Sequence, residues 1–315
     1  MNRYHTLSVH FRNKFGHRVQ KIPLDAASSC PNRDGTISTG GCVFCNPSGS
    51  GTGRGDESLT HQWNAWRERY ERKFGPGKAG YLAYFQSFSN TYGPPERLAA
   101  MLDEAATLPG CMGVAVGTRP DCLDPEKIDL LAEAPFAEKW LELGLQSAND
   151  STLERINRGH GAASFAEAAR AAAEAGLGVC AHMVAGLPGE GEAEFLETIS
   201  FLASLPVAGV KLHSCYVARG TPLAEWWREG RYTPLERDEY AAMAARALTL
   251  LPPEVVVQRL TGDPAPDELL APDWAADKGK TMRAIQELLR ERSLWQGKKN
   301  GAPGGPPPWF QPEAR

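Results

Sequence analysis

The chain has no apolar run of about twenty residues, so nothing in it reads as a membrane span. Its opening, MNRYHTLSVHFRNKFGHRVQ, lacks the apolar stretch of a secretory signal. Cysteine is scarce, with seven in 315 residues, an odd number and unevenly spread. In a chain this long that argues against a disulfide framework and for a reducing cytoplasm. No acidic residue precedes Asp25, although five basic ones do (Arg3, Arg12, Lys14, Arg18, Lys21). The net charge of -4 excludes a polycation overall. Even so, the basic start, interleaved with Tyr4, Phe11 and Phe15, suits a phosphate-and-base surface as well as it suits a solvated terminus. Arg290, Arg292, Lys298 and Lys299 make a second basic stretch near the other end. The glycine-rich NPSGSGTGRGD after Cys45 lacks the GK[ST] ending of a nucleotide P-loop, and reads as pliant backbone or a plain connector.

Three of the seven cysteines fall in one stretch, CPNRDGTISTGGCVFC, which places Cys30, Cys42 and Cys45 close together. Pro31, Asn32, Asp34, Gly35, Gly40 and Gly41 make the insert turn material, able to fold three thiolates around one inorganic centre. A closed structural zinc site wants four ligands, whereas a reactive centre keeps a position open. The residues alone leave zinc and an iron-sulfur cluster both possible.

Around this loop, strand and helix patterns alternate. Strand-like runs occur at 19–24, 80–89, 111–118, 139–147, 177–186 and 208–217, with helical segments between them. The helix from about 57 to 74 carries Leu59, Trp63, Trp66 and Tyr70 at helical spacing. After the fourth strand, Ser151 with Glu154 and Ser164 with Glu167 read as two capping boxes. Such an order predicts a parallel sheet or barrel with right-handed crossovers. Beyond the sixth strand, helices are expected near 223–227, 235–251 and 273–295, with a short strand in EVVVQRLTGD. Chemistry in parallel (β/α) arrays collects at the C-terminal strand ends. Polar and glycine residues fall there: Ser89, Asn90 and Thr91; Thr118 to Asp121; Gln146 and Ser147; Gly186 to Gly189; Arg219 to Thr221.

The segments CPNRDGTISTGGCVFC, YFQSFSNTYGP, GTRPDCL, ELGLQSANDSTLERINRGH, GLPGE and KLHSCYVARGTPL resemble radical S-adenosylmethionine (SAM) enzymes. The wide first cysteine gap departs from their common CxxxCxxC. It is similar to the branch holding the catalytic subunit of Elongator and the bacterial YhcC-type proteins. The resemblance implies a partial (β/α)6 barrel with a C-terminal α-rich extension, core at 1–220 and extension at 221–299; the proline- and glycine-rich tail at 300–315 is expected to be disordered. It implies a [4Fe-4S] cluster on Cys30, Cys42 and Cys45, with one iron left for SAM. SAM would be cleaved reductively and a substrate hydrogen abstracted, on electrons from a donor such as flavodoxin or ferredoxin. Phe44, Ser89, Asn90, Gln146, Arg158, His182 and Gly186 are the expected cofactor contacts. Arg158 would pair with the methionyl carboxylate; Ser89 and Asn90 stand where relatives carry a glycine pair; His182 fits a ribose contact or a satisfied core histidine. No cysteine follows Cys215, which argues against a second cluster. The Elongator likeness and the basic start point to tRNA, at a wobble uridine, as the substrate. The rival reading is a non-catalytic, zinc-stabilised RNA-binding protein with a fourth ligand from His or Asp.

Overall fold

Each of the six apolar runs forms a strand, because its β-branched and aromatic residues are covered on both faces. The strands are β1 (Arg18–Leu24), β2 (Ala79–Phe85), β3 (Cys111–Thr118), β4 (Glu138–Gln146), β5 (Gly178–Ala185) and β6 (Gly209–Ser214). A minor strand, β7 (Val217–Ala218), pairs antiparallel with β9 (Leu269–Ala271). Between these two comes β8 (Val256–Arg259), which joins β6 in parallel and gives a seven-stranded sheet in the order β1-β2-β3-β4-β5-β6-β8. This computed structural model describes residues 3–49, 51, 53–265, 267–299 and 307. Apart from Pro307, the tail expected at 300–315 lies outside them. The partial barrel is therefore as expected, and the short strand of EVVVQRLTGD extends it by one.

The helices are α1 (Leu7–Phe15), α2 (Leu59–Phe74), α3 (Pro95–Thr107), α4 (Pro125–Glu133), α5 (Asp150–Arg155), α6 (Ala162–Glu174), α7 (Glu192–Ala203), α8 (Pro222–Arg228), α9 (Arg237–Leu250) and α10 (Lys278–Glu291). Alternation along each strand separates two cores. Ile22, Phe85, Val116, Leu143 and Leu212 face outward and pack with the helices. Leu82, Tyr84, Ala115, Trp140, Cys180 and Val256 face inward, where Phe11 of α1 meets them. Phe11 is 1% exposed. Burying such a ring contributes about 1.5–3 kcal/mol.

Helix α1 thus seals the inside of the barrel, and most of the basic N-terminal stretch is spent on the protein itself. Lys14 pairs with Glu138 at 2.5 Å, Arg18 lies 4.4 Å from the Phe74 ring centre, and Lys21 reaches Glu142 and Gln258. Neither Phe11 nor Phe15 forms the surface stack that the interleaved pattern allowed, since both pack into the inner core. The start of the chain is tied to its far end: Gln296 N donates to Arg3 O, His5 N donates to the Gln296 side chain, and Val257 N donates to His5 O.

The two capping boxes do not form. Asn149 caps α5 instead, its side-chain oxygen accepting from Ser151 N and Thr152 N. Asp150 caps α6 from outside, accepting from Ala162 N at 2.8 Å. Asx residues displace serine because the chain enters each helix earlier than the box requires.

Candidate cluster and cofactor site

The cysteine loop begins where β1 ends. Gln62 of α2, fully buried, holds the exit by accepting from Asp25 N at 2.8 Å and donating to Asp25 O at 2.9 Å. The loop then closes on itself through Arg33 N to Cys30 O (2.8 Å), Gly41 N to Asn32 O (2.6 Å) and Cys45 N to Cys42 O (2.9 Å). Gly41 sits at φ +70°, a backbone conformation that side chains disfavour. Arg33 donates to the carbonyls of both Cys45 and Asn46 at 2.6 Å, and so sets the direction in which the loop leaves. Glu268, before β9, receives the Asn46 side chain and the Tyr216 hydroxyl, which ties the C-terminal extension to the loop.

Cys30, Cys42 and Cys45 are free thiols lining one cavity. Cys42 Sγ lies 3.6 Å from Arg158 Nη1 and 3.7 Å from Asn32 Nδ2, so two donors point at the sulfur. Burial pushes the Cys45 thiol up, and Cys42 adds to that, while Arg33 opposes. Among the described residues, the His, Cys, Asp and Glu ligand atoms gathered within 4.8 Å of one another are those of Glu142, Cys180 and His182. The three loop sulfurs are not part of that group.

Phe44, Ser89, Gln146, Arg158 and His182 line the same cavity as the cysteines. Gln146 follows an irregularity in the β4–β5 pairing and has φ +77°, a costly conformation for a residue with a side chain. The strand needs Gly144 beside it. A Cβ there would stand 2.5 Å from Arg158 Nη2 and 2.6 Å from Gln146 Nε2. Arg158 is 7% exposed and donates to Gly144 O at 2.5 Å. Arg119, 2% exposed, donates to Arg158 O at 2.9 Å while paired with Asp121. It therefore positions the Arg158 backbone.

Two expected contacts are placed differently. Asn90 spends its side chain on the protein, accepting from Ser28 Oγ and donating to the carbonyls of Phe85, Ser87 and Gly117. It holds the ends of β2 and β3 together. Gly186 is not among the described residues lining the cavity; it packs under Leu235, and its carbonyl accepts from Tyr232 at 2.8 Å.

Below the cavity lies a charge cluster that strand periodicity gave no reason to expect. Glu142 of β4 is fully buried at its side chain and bonds Lys21 of β1, Lys211 of β6 and His182 of β5, the last at 2.8 Å. Burial alone would raise its carboxyl, yet Lys21 and Lys211 hold it well below the ordinary range. Burial lowers Lys211 to about 8, against the pull of Glu142. His182 drops to about 4 through burial and the Lys211 charge, so near neutrality it is an uncharged imidazole facing the cavity.

On the cavity wall Arg158 Nε is buried without a hydrogen-bond partner among the described residues, and the Ser89 hydroxyl has only the Cys122 thiol. An unpartnered buried donor costs about 1–3 kcal/mol unless a bound group supplies a partner. The donor set fits an anionic, hydrogen-bonding ligand beside three cysteine sulfurs.

The model of the radical SAM superfamily matches residues 34–202, and that of the radical SAM C-terminal domain matches residues 207–291. The YhcC protein of Escherichia coli (strain K12) is 38% identical over 296 residues, covering 93% of this chain and 94% of its own. The tRNA uridine(34) acetyltransferase of Dehalococcoides mccartyi is 33% identical over 174 residues, 53% of this chain and 38% of that one. The solved archaeal Elp3 of Methanocaldococcus infernus shares the fold at a TM-score of 0.67 and 18% identity, over 89% of this chain and 64% of its own. Fold and site together define an α/β partial-barrel protein of a class that binds a [4Fe-4S] cluster and SAM. The chain belongs to the radical SAM superfamily, and within it to the YhcC type.

Arg158→Lys is expected to raise the SAM concentration needed for half-maximal cleavage by about tenfold or more. A charge-assisted hydrogen bond is worth about 1.5–3 kcal/mol, and lysine cannot fill both guanidinium positions. Titrating SAM against product formation checks this; an unchanged half-saturation point would count against Arg158 as a cofactor contact.

Proposed function

We infer that this protein is an enzyme that cleaves SAM reductively and abstracts a hydrogen from a uridine of tRNA, at the wobble position. The observation that carries the first part is the one cavity that joins three thiols with the Ser89 hydroxyl and the unpartnered Arg158 Nε. The tRNA part is supported by the likeness to a tRNA uridine(34) acetyltransferase over half of the chain.

In this reading Cys30, Cys42 and Cys45 hold the cluster, and Phe44, Ser89, Gln146, Arg158 and His182 hold SAM. When bound, the pair supplies a one-electron reduction of the sulfonium that starts hydrogen abstraction. The protein's own share is binding and orientation. Arg158 presents a guanidinium to a carboxylate, Ser89 offers its hydroxyl to a polar group, and neutral His182 offers a ring nitrogen to a ribose hydroxyl. Asn90 acts at one remove, by fixing the strand ends that carry Ser89. Residues 1–220 form the catalytic core and 221–299 the extension that steadies the loop through Glu268. No described helix is long and apolar enough to cross a membrane. A cytoplasmic enzyme drawing electrons from a flavodoxin or ferredoxin fits this set.

Anaerobic reconstitution with iron and sulfide is the test. The expected result is a brown protein that forms 5′-deoxyadenosine from SAM under dithionite. A colourless protein holding one zinc, with no turnover, would favour the zinc-stabilised RNA binder. For the substrate, modified nucleosides are compared in tRNA from cells with and without the protein. An unchanged profile would remove the tRNA reading and leave SAM cleavage standing.

A further inference from the structure

The two edge strands of the sheet, β1 and β8, do not pair, and a groove of about 560 Å³ lies beside them. That is ample for a nucleotide-sized ligand. The groove is separate from the cluster cavity, but Tyr84 and Gln86 line both. A molecule seated in it therefore reaches the wall of the cofactor site.

Its charge is one-sided. Of the four cations that line it, Lys21 and Lys211 are spent on Glu142, while Arg259 and Lys278 face one carboxylate, Asp263. Asp263 stands 3.8 Å from Arg259 and 3.4 Å from Lys278, long contacts that leave most donors of both cations available. Trp66 and Tyr70, on the groove wall, are stacked with ring centres 5.8 Å apart. Independently, Thr261 is 3% exposed and lines the groove, yet its hydroxyl has no partner among the described residues. Clustered cations, aromatic faces and an unpartnered hydroxyl are the chemistry that holds single-stranded nucleic acid.

We propose that this groove binds the RNA substrate, with a phosphate held by Arg259 and Lys278 and a base on the Trp66–Tyr70 pair. The adjoining nucleotide passes Tyr84 and Gln86 toward the cofactor cavity. This assignment rests on the RNA reading of the function, and gives it a location. Trp66 and Tyr70 pack against the core on one side and are only partly buried, which leaves ring surface for the groove.

The test is anisotropy of a labelled RNA hairpin, with uridine in its loop, on the reconstituted full chain. Lys278→Ala is expected to lower the slope of log affinity against log salt by about one, the signature of a lost phosphate contact. Thr261→Val is expected to weaken binding by about two- to tenfold while the melting temperature holds, since only an unsatisfied hydroxyl is removed. Lys280→Ala, on the same helix but outside the groove lining, leaves the slope unchanged. Uridine 5′-monophosphate is expected to compete better than inorganic phosphate. An unchanged slope in Lys278→Ala overturns the groove assignment, whatever the cellular nucleosides show. Equal competition by phosphate overturns the nucleotide assignment. Loss of binding in the variants together with an unchanged tRNA nucleoside profile supports the groove and counts against tRNA as the substrate.

Discussion

Cys42→Ala is expected to leave a folded protein that holds little cluster iron and forms no detectable 5′-deoxyadenosine from SAM. The sulfur sits where Asn32 and Arg158 both point donors at it, and it is 6% exposed. Alanine removes the ligand without adding bulk, so the fold loses about 1 kcal/mol, whereas a cluster left with two thiolates has lost a covalent attachment. The orphaned Arg158 Nη1 keeps the Arg158 side chain in place through its bond from Nη2 to Gly144 O. Iron and sulfide content, the visible absorption of the reconstituted protein and product formation are measured together. Cys111→Ala, at a half-buried thiol outside the cavity lining, serves as the control and keeps its iron. Full iron and turnover in Cys42→Ala would sink the assignment of the loop.

The largest stability effect is expected at Glu142. Glu142→Gln preserves shape but leaves Lys21 and Lys211 inside the barrel without their shared carboxylate. Breaking a buried pair from one side costs about 3–5 kcal/mol, and denaturant unfolding reads it directly. The pH dependence gives a second readout. The carboxyl of Glu142 is held below its ordinary 4.5 in the folded state. Its contribution is therefore present above that value and lost as pH falls through the depressed one. The parent chain should lose stability on acidification through this window, and the glutamine variant should lose less. Lysine runs the other way. Lys211, already lowered to about 8 from 10.5, binds fewer protons folded than unfolded between those values, so stability rises with pH there. Without Glu142 to oppose burial, the window widens downward and the variant gains more as pH rises. A variant as stable as the parent, with the same pH profile, would mean that the cluster of charges is not what holds this level of the barrel.

How much of this was legible beforehand follows from what each signal reports. Six strands were visible because parallel strands covered on both faces read as continuous apolar runs, and Cys30, Cys42 and Cys45 because thiols are rare and their spacing is distinctive. The strand-end set from Ser89 to Arg158 converges because parallel topology brings those ends together whatever the details. Glu142, Lys21 and Lys211 were opaque. They lie on three different strands, and only the curl of the sheet turns them toward one another. Asn90 and Gly186 sit at the right chain positions, but their side chain or backbone is engaged elsewhere, a matter of rotamer and packing that residue type does not encode. The serine capping boxes failed for a similar reason: Asn149 and Asp150 offered oxygens closer to the free amides.

The ties between Arg3, His5, Val257 and Gln296 carry a consequence for how the protein is made. The plug helix α1 is made well over two hundred residues before the groups that seat it. Until these have emerged, Phe11 has neither Val256 beside it nor Gln296 to hold the segment before it. The interior of the barrel, with its buried glutamate and lysines, must therefore stay wet until then. Contacts this distant along the chain are slow to form.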